Sequence, residues 1–265
     1  TVPPTATPKP KATSSSSGSS PKPTAQPQTS SNPAPNTKFG YGIQAHMVHN
    51  GQEGVVMSKV KDMGFGWVKQ QVEWKHFEHA KGAREWGALD SIVAAADASG
   101  VNIMWSVVNA PAWSRGGQDL SVGGPPNNYQ DLADFVGAMA SRYCGSRVKA
   151  IEVWNEQNLH YEWGNMKIDP AAYMQLLKPS YTAIKQACPS MTVVSGALTP
   201  TGAPPPKAVD DYAYLEGMYQ NGLKNFSDAI GAHPSGFNVA PWVKGGAASC
   251  DFITQQGSSF RGPCN

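Results

Sequence analysis

The chain has 265 residues, with 21 basic and 19 acidic side chains and a net charge of +2. Charge therefore selects no nucleic-acid partner, and neither a lysine/arginine cluster nor a zinc-type cysteine spacing is present. No apolar run is long enough to span a bilayer.

Residues 1–37 are rich in Pro, Ser and Thr and hold no aromatic side chain. Such a segment buries too little surface to offset its ordering entropy, so it is expected to be a disordered linker. Tracts of this kind serve as stalks before extracellular domains, which points to a secreted or cell-surface protein. Residues 38–265 are then the folded domain.

From residue 38 strand-like and helical runs alternate. "FGYGIQAHM" (39–47) reads as a strand and "EGVVMSKVKDMG" (53–64) as a helix stopped by Gly64. The second strand is 66–74, followed by a loop and a helix over 85–100. The third strand is 101–111 and its helix 128–145. "KAIEVWNEQNL" (149–159) makes strand four, and 169–189 a helix interrupted or bent at Pro179. Strand five is 191–199, the next helix 208–222, strand six 228–236, and the rest is loop in composition. This alternation argues for parallel βα units.

Six strands fall short of the eight in a (β/α)8 TIM barrel, which typically fills roughly 250 residues. A doubly wound open sheet is the alternative, but the first strand–helix turn "AHMVHNGQEG" lacks a phosphate-cradling glycine pattern. The expectation is an α/β barrel that is incomplete at its C-terminal end. Cys144 and Cys188 fall near the ends of sequential helices, and Cys250 and Cys264 bracket a Gly/Ser-rich loop. Two disulfides are expected, with four buried thiols as the alternative.

On strand four, Ile151 and Val153 should face one way and Glu152, Trp154 and Glu156 the other. Barrel enzymes carry their sites at the C-terminal strand ends. Here those ends present Gln44 and His46, Gln71 and Glu73, Asn109 and Trp113, then Asn155, Glu156 and Asn158, and finally His233. Amides and indoles suit carbohydrates, whose hydroxyls lie in the ring plane and whose C–H faces lie above it. Trp113, beyond its strand end, is a candidate sugar platform. Trp105 and Trp154 fit platform or core equally, and His160, Tyr161 and Trp163 line a cleft or stand in solvent. His49, His76 and His79 are expected at the surface. No metal-ligand spacing, cofactor motif or G-x-S-x-G turn is present.

The segment "IEVWNEQN" resembles the Asn-Glu motif on strand four of the clan A glycoside hydrolases. "VEWKHFEHAKGAREWGALDSIVAAADASGVNIMWSVVNAPAW" and "IGAHPSG" resemble the family of that clan holding β-xylosidases, α-iduronidases and related exopolysaccharide hydrolases. The resemblance covers about residues 39–237. It implies a retaining glycosidase, monomeric when complete, with Glu156 as general acid/base and Asn155 on the 2-hydroxyl beside the cleaved bond. It also implies His233 as a subsite or site-orienting residue. Substrate contacts are expected from Asn109, Trp113, Gln44 and His46.

Retaining hydrolysis needs a second carboxyl about 5–5.5 Å from the first. Glu152, four strand residues away, lies roughly 13 Å from Glu156 and is expected inside the barrel, paired with Lys69 or a histidine. In the clan the partner is a glutamate ending strand seven, and no glutamate follows Glu216 here. The nucleophile is thus expected outside this chain, with Glu73 a weaker in-chain alternative. Lys69 stands where relatives often carry arginine. The rival expectation is a non-catalytic carbohydrate-binding barrel.

Overall fold

A computed structural model describes residues 39–234. The linker over 1–37, the closing loop and the Cys250/Cys264 pair lie outside the described residues.

The chain forms β1 (Gly42–Gln44), α1 (Glu53–Asp62), β2 (Trp67–Glu73), a small hairpin of β3 (Glu78–Ala80) and β4 (Ala83–Arg84), α2 (Gly87–Ser99) and β5 (Asn102–Val108). It continues with α3 (Tyr129–Tyr143), β6 (Val148–Asn155), α4 (Pro170–Ala187), β7 (Thr192–Ala197) and α5 (Asp211–Gln220). Five strands form one sheet in the order β1-β2-β5-β6-β7, every pair parallel. The expected sixth strand is present as two parallel bridges, Val194 to Ala229 and Leu198 to Ala232. Among the described residues the barrel is therefore incomplete.

Local chemistry explains the elements. In β2, Val68, Gln70 and Val72 are buried while Lys69, Gln71 and Glu73 are half-buried, the period-two pattern of a strand covered by helices on one side. Asn128, Asp169 and Asp210 cap α3, α4 and α5 by accepting from the backbone N–H groups of Gln130, Ala171 and Ala213. Gly100, at φ 71°, ends α2 in the left-handed conformation. Helices α3 and α4 pack together and are joined at their ends by the Cys144–Cys188 disulfide, with Cα atoms 5.6 Å apart.

Two expectations change. Helix α4 runs through Pro179 without interruption. Proline forfeits one bond to the Gln175 carbonyl, but Leu176, Leu177, Ser180 and Ile184 are buried around it, and each apolar side chain so buried contributes about 1.5–3 kcal/mol. The loop after β2 is in part the β3–β4 hairpin, organised by the buried Glu78 carboxylate. It accepts from Trp74 Nε1 at 2.7 Å and from the Gly82 backbone N–H at 2.5 Å.

Candidate active site

Strand β6 carries the motif residues to the C-terminal edge of the sheet. Glu156 follows its last residue at φ 47°, and its backbone N–H donates to the Ala197 carbonyl at 2.8 Å, tying it to β7. Its side chain is 23% exposed, and Oε1 lies 2.8 Å from His233 Nδ1. The His233 backbone N–H in turn donates to the Leu198 carbonyl. On the far side of the imidazole, Nε2 lies 3.4 Å from Lys69 Nζ. Lys69 also approaches Glu152 Oε2 at 2.7 Å, and Glu152 is only 2% exposed. That oxygen has no aligned hydrogen-bond donor, so the contact is an ion pair held by charge. A continuous chain, Glu152–Lys69–His233–Glu156, results.

A second cluster lies at the exits of β2 and β5. Asn109, at φ 56°, donates from Nδ2 to Glu73 Oε2 at 3.2 Å, and Lys75 Nζ meets the same oxygen at 2.7 Å. Burial would raise the Glu73 carboxyl, but Lys75, Asn109 and His76 together hold it below the usual range. A pocket of about 330 Å³ beside it is lined by Lys75, His76, His79, Trp113 and Leu120. Trp113 is half-buried, with its Nε1 donating to the Glu78 carbonyl at 2.7 Å and its ring edge-on to Trp74.

The rim residues separate by what holds them. Asn155 is half-buried beside Glu156, its backbone in register with Ala197. Gln44 and His46 are exposed, 3.4 Å apart through their side chains, and no hydrogen bond joins them to Glu156. Asn158 is fully buried, donating to the Thr199 and Val209 carbonyls, so it fastens the loop rather than facing a cleft. Gln157 is buried too and donates to the Gly196 carbonyl at 2.9 Å; a side chain on Gly196 would overlap it.

The tryptophans correct the sequence reading. Trp105, Trp154 and Trp163 are core residues, at most 1% exposed. Trp154 holds φ 78° within β6, and its ring packs edge-on to Trp163 with Nε1 donating to the Glu162 carbonyl. His49, His76 and His79 are exposed, as expected.

Glu162 was not foreseen. Burial, followed by the charges of Glu156 and Glu73, pushes its carboxyl up to about 7. Its neighbour Tyr161 is raised by burial and then by Glu156 and Glu162. Among the described residues no group of three or more His, Cys, Asp or Glu side chains is placed to hold a metal ion. No helix among them is long and apolar enough to cross a membrane.

The fold matches solved glycoside hydrolases. A family 39 glycoside hydrolase from Bacteroides cellulosilyticus WH2 superposes with a TM-score of 0.61 at 22% identity, covering 76% of this chain and 39% of that one. A monomeric β-xylosidase from Caulobacter crescentus CB15 gives 0.56 at 21%, covering 75% and 42%. A family 30 endoxylanase from Clostridium papyrosolvens C71 gives 0.50 at 20%, covering 73% and 49%. The chain thus spans less than half the length of these structures. No protein-family model matches it, and no curated protein does. The architecture is a parallel α/β barrel of the kind these glycoside hydrolases have, incomplete in the described residues.

Proposed function

We propose that the protein is a retaining glycosidase in which Glu156 is the general acid/base. The observation that carries this reading is the setting of Glu156. It is a partly exposed carboxyl at the C-terminal end of a central strand, preceded by Asn155 and bonded to His233, on a clan A barrel. In this reading Glu156 protonates the departing glycosidic oxygen and later deprotonates the incoming water. Asn155 bonds the sugar 2-hydroxyl, with Asn109, Trp113, Gln44 and His46 as outer contacts. In this reading the carboxylate nucleophile comes from a segment outside the described residues, since the residue that matches Glu73 in the resembled family is not the nucleophile. The Cys144–Cys188 disulfide supports an oxidising, extracellular setting, and a monomer is the expected form.

The test uses the full-length protein and Glu156→Gln. Aryl β-xylosides are the first probe, since neighbours of this fold are described as a β-xylosidase and an endoxylanase. Substrates with poor leaving groups should lose about 10²–10⁴-fold in rate, while activated aryl glycosides lose far less in their first step. Azide should restore turnover and yield a glycosyl azide of retained configuration. Equal losses on both substrate types without azide rescue would remove Glu156 from the acid/base role. Sugar binding without turnover in the unsubstituted protein would instead favour the carbohydrate-binding barrel.

A further inference from the structure

We propose that Lys69, anchored by Glu152, fixes the tautomer of His233, leaving Nε2 bare and the proton on Nδ1, so that His233 donates to Glu156 and sets its position. The link to catalysis rests on the reading of Glu156 given above; the tautomer does not.

The inference follows from donor and acceptor counts. An ammonium carries three donors and no acceptor. With Lys69 Nζ 3.4 Å from His233 Nε2, that nitrogen can only accept, since a proton on it would point at a positive charge. An imidazole that accepts at Nε2 holds its proton on Nδ1. Nδ1 is the atom 2.8 Å from Glu156 Oε1, so the hydrogen bond there runs from histidine to carboxylate. The reverse arrangement, with protonated Glu156 donating to Nδ1, would require the proton on Nε2 and is blocked from the other side.

Glu152 makes the clamp persistent. It is 2% exposed and 2.7 Å from Lys69 Nζ, so withdrawing Lys69 would leave a buried carboxylate unpaired. Lys69 itself is 17% exposed, on the inward-facing row of β2 with Gln71 and Glu73. The charged and titratable groups around the imidazole are Lys69 from β2, Glu152 from β6, and Glu156, Tyr161 and Glu162 from the loop after it, with Glu73 beyond them. None of these but Lys69 is bonded to Nε2. Lys69 is therefore a positioning residue, two contacts removed from the reacting carboxyl.

The test is nitrogen NMR of the chain labelled with ¹⁵N-histidine, the His233 resonances being assigned by their loss in His233→Gln. The expected spectrum has a protonated Nδ1 and a bare Nε2. Lys69→Arg, whose guanidinium also only donates, should keep that pattern, and Lys69→Met should move the proton toward Nε2. Should Lys69→Met fold poorly, Lys69→Met/Glu152→Gln removes both charges and carries the same expectation. A protonated Nε2 in the unsubstituted chain, or a pattern indifferent to Lys69→Met, overturns the proposal. In the active full-length protein, Lys69→Met should lower kcat by about 10²-fold with KM little changed, and Lys69→Arg should retain most of it. A tautomer as expected with kcat unaffected would leave the clamp standing and overturn its link to Glu156.

Discussion

Glu156 and His233 meet at 2.8 Å across 77 residues of sequence, one at the end of β6 and the other on the segment bridged to β7. Their contact reaches over β7, which pairs with β6 on one side and is bridged to the sixth strand segment on the other. Anything that loosens that segment releases the imidazole first and the carboxyl with it.

Removing Lys69 should destabilise the fold by more than an exposed charge would. Lys69→Met leaves the Glu152 carboxylate buried and unpaired, at a cost of about 3–5 kcal/mol. Adding Glu152→Gln should recover most of that loss. Urea unfolding of the single and double variants checks this; simple additivity of the two single costs would contradict it.

Glu162 should make stability fall with rising pH. Its folded carboxyl titrates at about 7, above the ordinary value of 4.5. The favourable state is the protonated one, so the full benefit is present below about 4.5 and is lost as pH rises through 7. Glu162→Gln should raise the melting temperature at pH 8 and leave it unchanged below pH 4. Melting curves across that range provide the check, and parallel profiles for both proteins would count against it.

Trp163 was open to a cleft-lining reading, and its burial makes a different outcome expected. Truncation to Ala in the core should cost about 3–5 kcal/mol. Trp163→Phe should cost much less. A change within about 0.5 kcal/mol for the alanine variant, measured by denaturant unfolding, would mark the site as surface.

The Cys144–Cys188 bridge closes a loop of 44 residues in sequence separation. In the chain-entropy picture this restricts the unfolded chain by about 4 kcal/mol. The Cys144→Ala/Cys188→Ala variant should therefore melt well below the parent, and reductant should lower the parent's melting temperature by more than the variant's.

The sequence exposed the parts of the fold that depend on local pattern. Apolar runs at β2, β5, β6 and β7 and the capped helices after them were legible because burial on one side writes a short period into the chain. Strand β1 was overextended, since only Gly42–Gln44 pairs with β2 and its glycines carry no period. Glu156, Asn155 and His233 were read as motif residues, and of these the fold joins Glu156 to His233, while Lys69 was one of two partners foreseen for Glu152. The Lys69–His233 contact was not, because 164 residues separate the pair and only the sheet's curvature joins them. Glu162 was invisible for a related reason: desolvation is a property of the folded loop.

Asn109, Trp154 and Glu156 all hold left-handed backbone conformations at the C-terminal ends of β5 and β6, with φ of 56°, 78° and 47°. Each such residue costs on the order of 1–3 kcal/mol, least for asparagine. A selection for heat resistance alone would therefore be drawn toward glycine at position 156, where the backbone would relax and the carboxyl would vanish. In the acid/base reading proposed for Glu156, thermal endurance and chemistry compete for that one residue, and a stabilised descendant of this chain has to find its gains away from the strand tips.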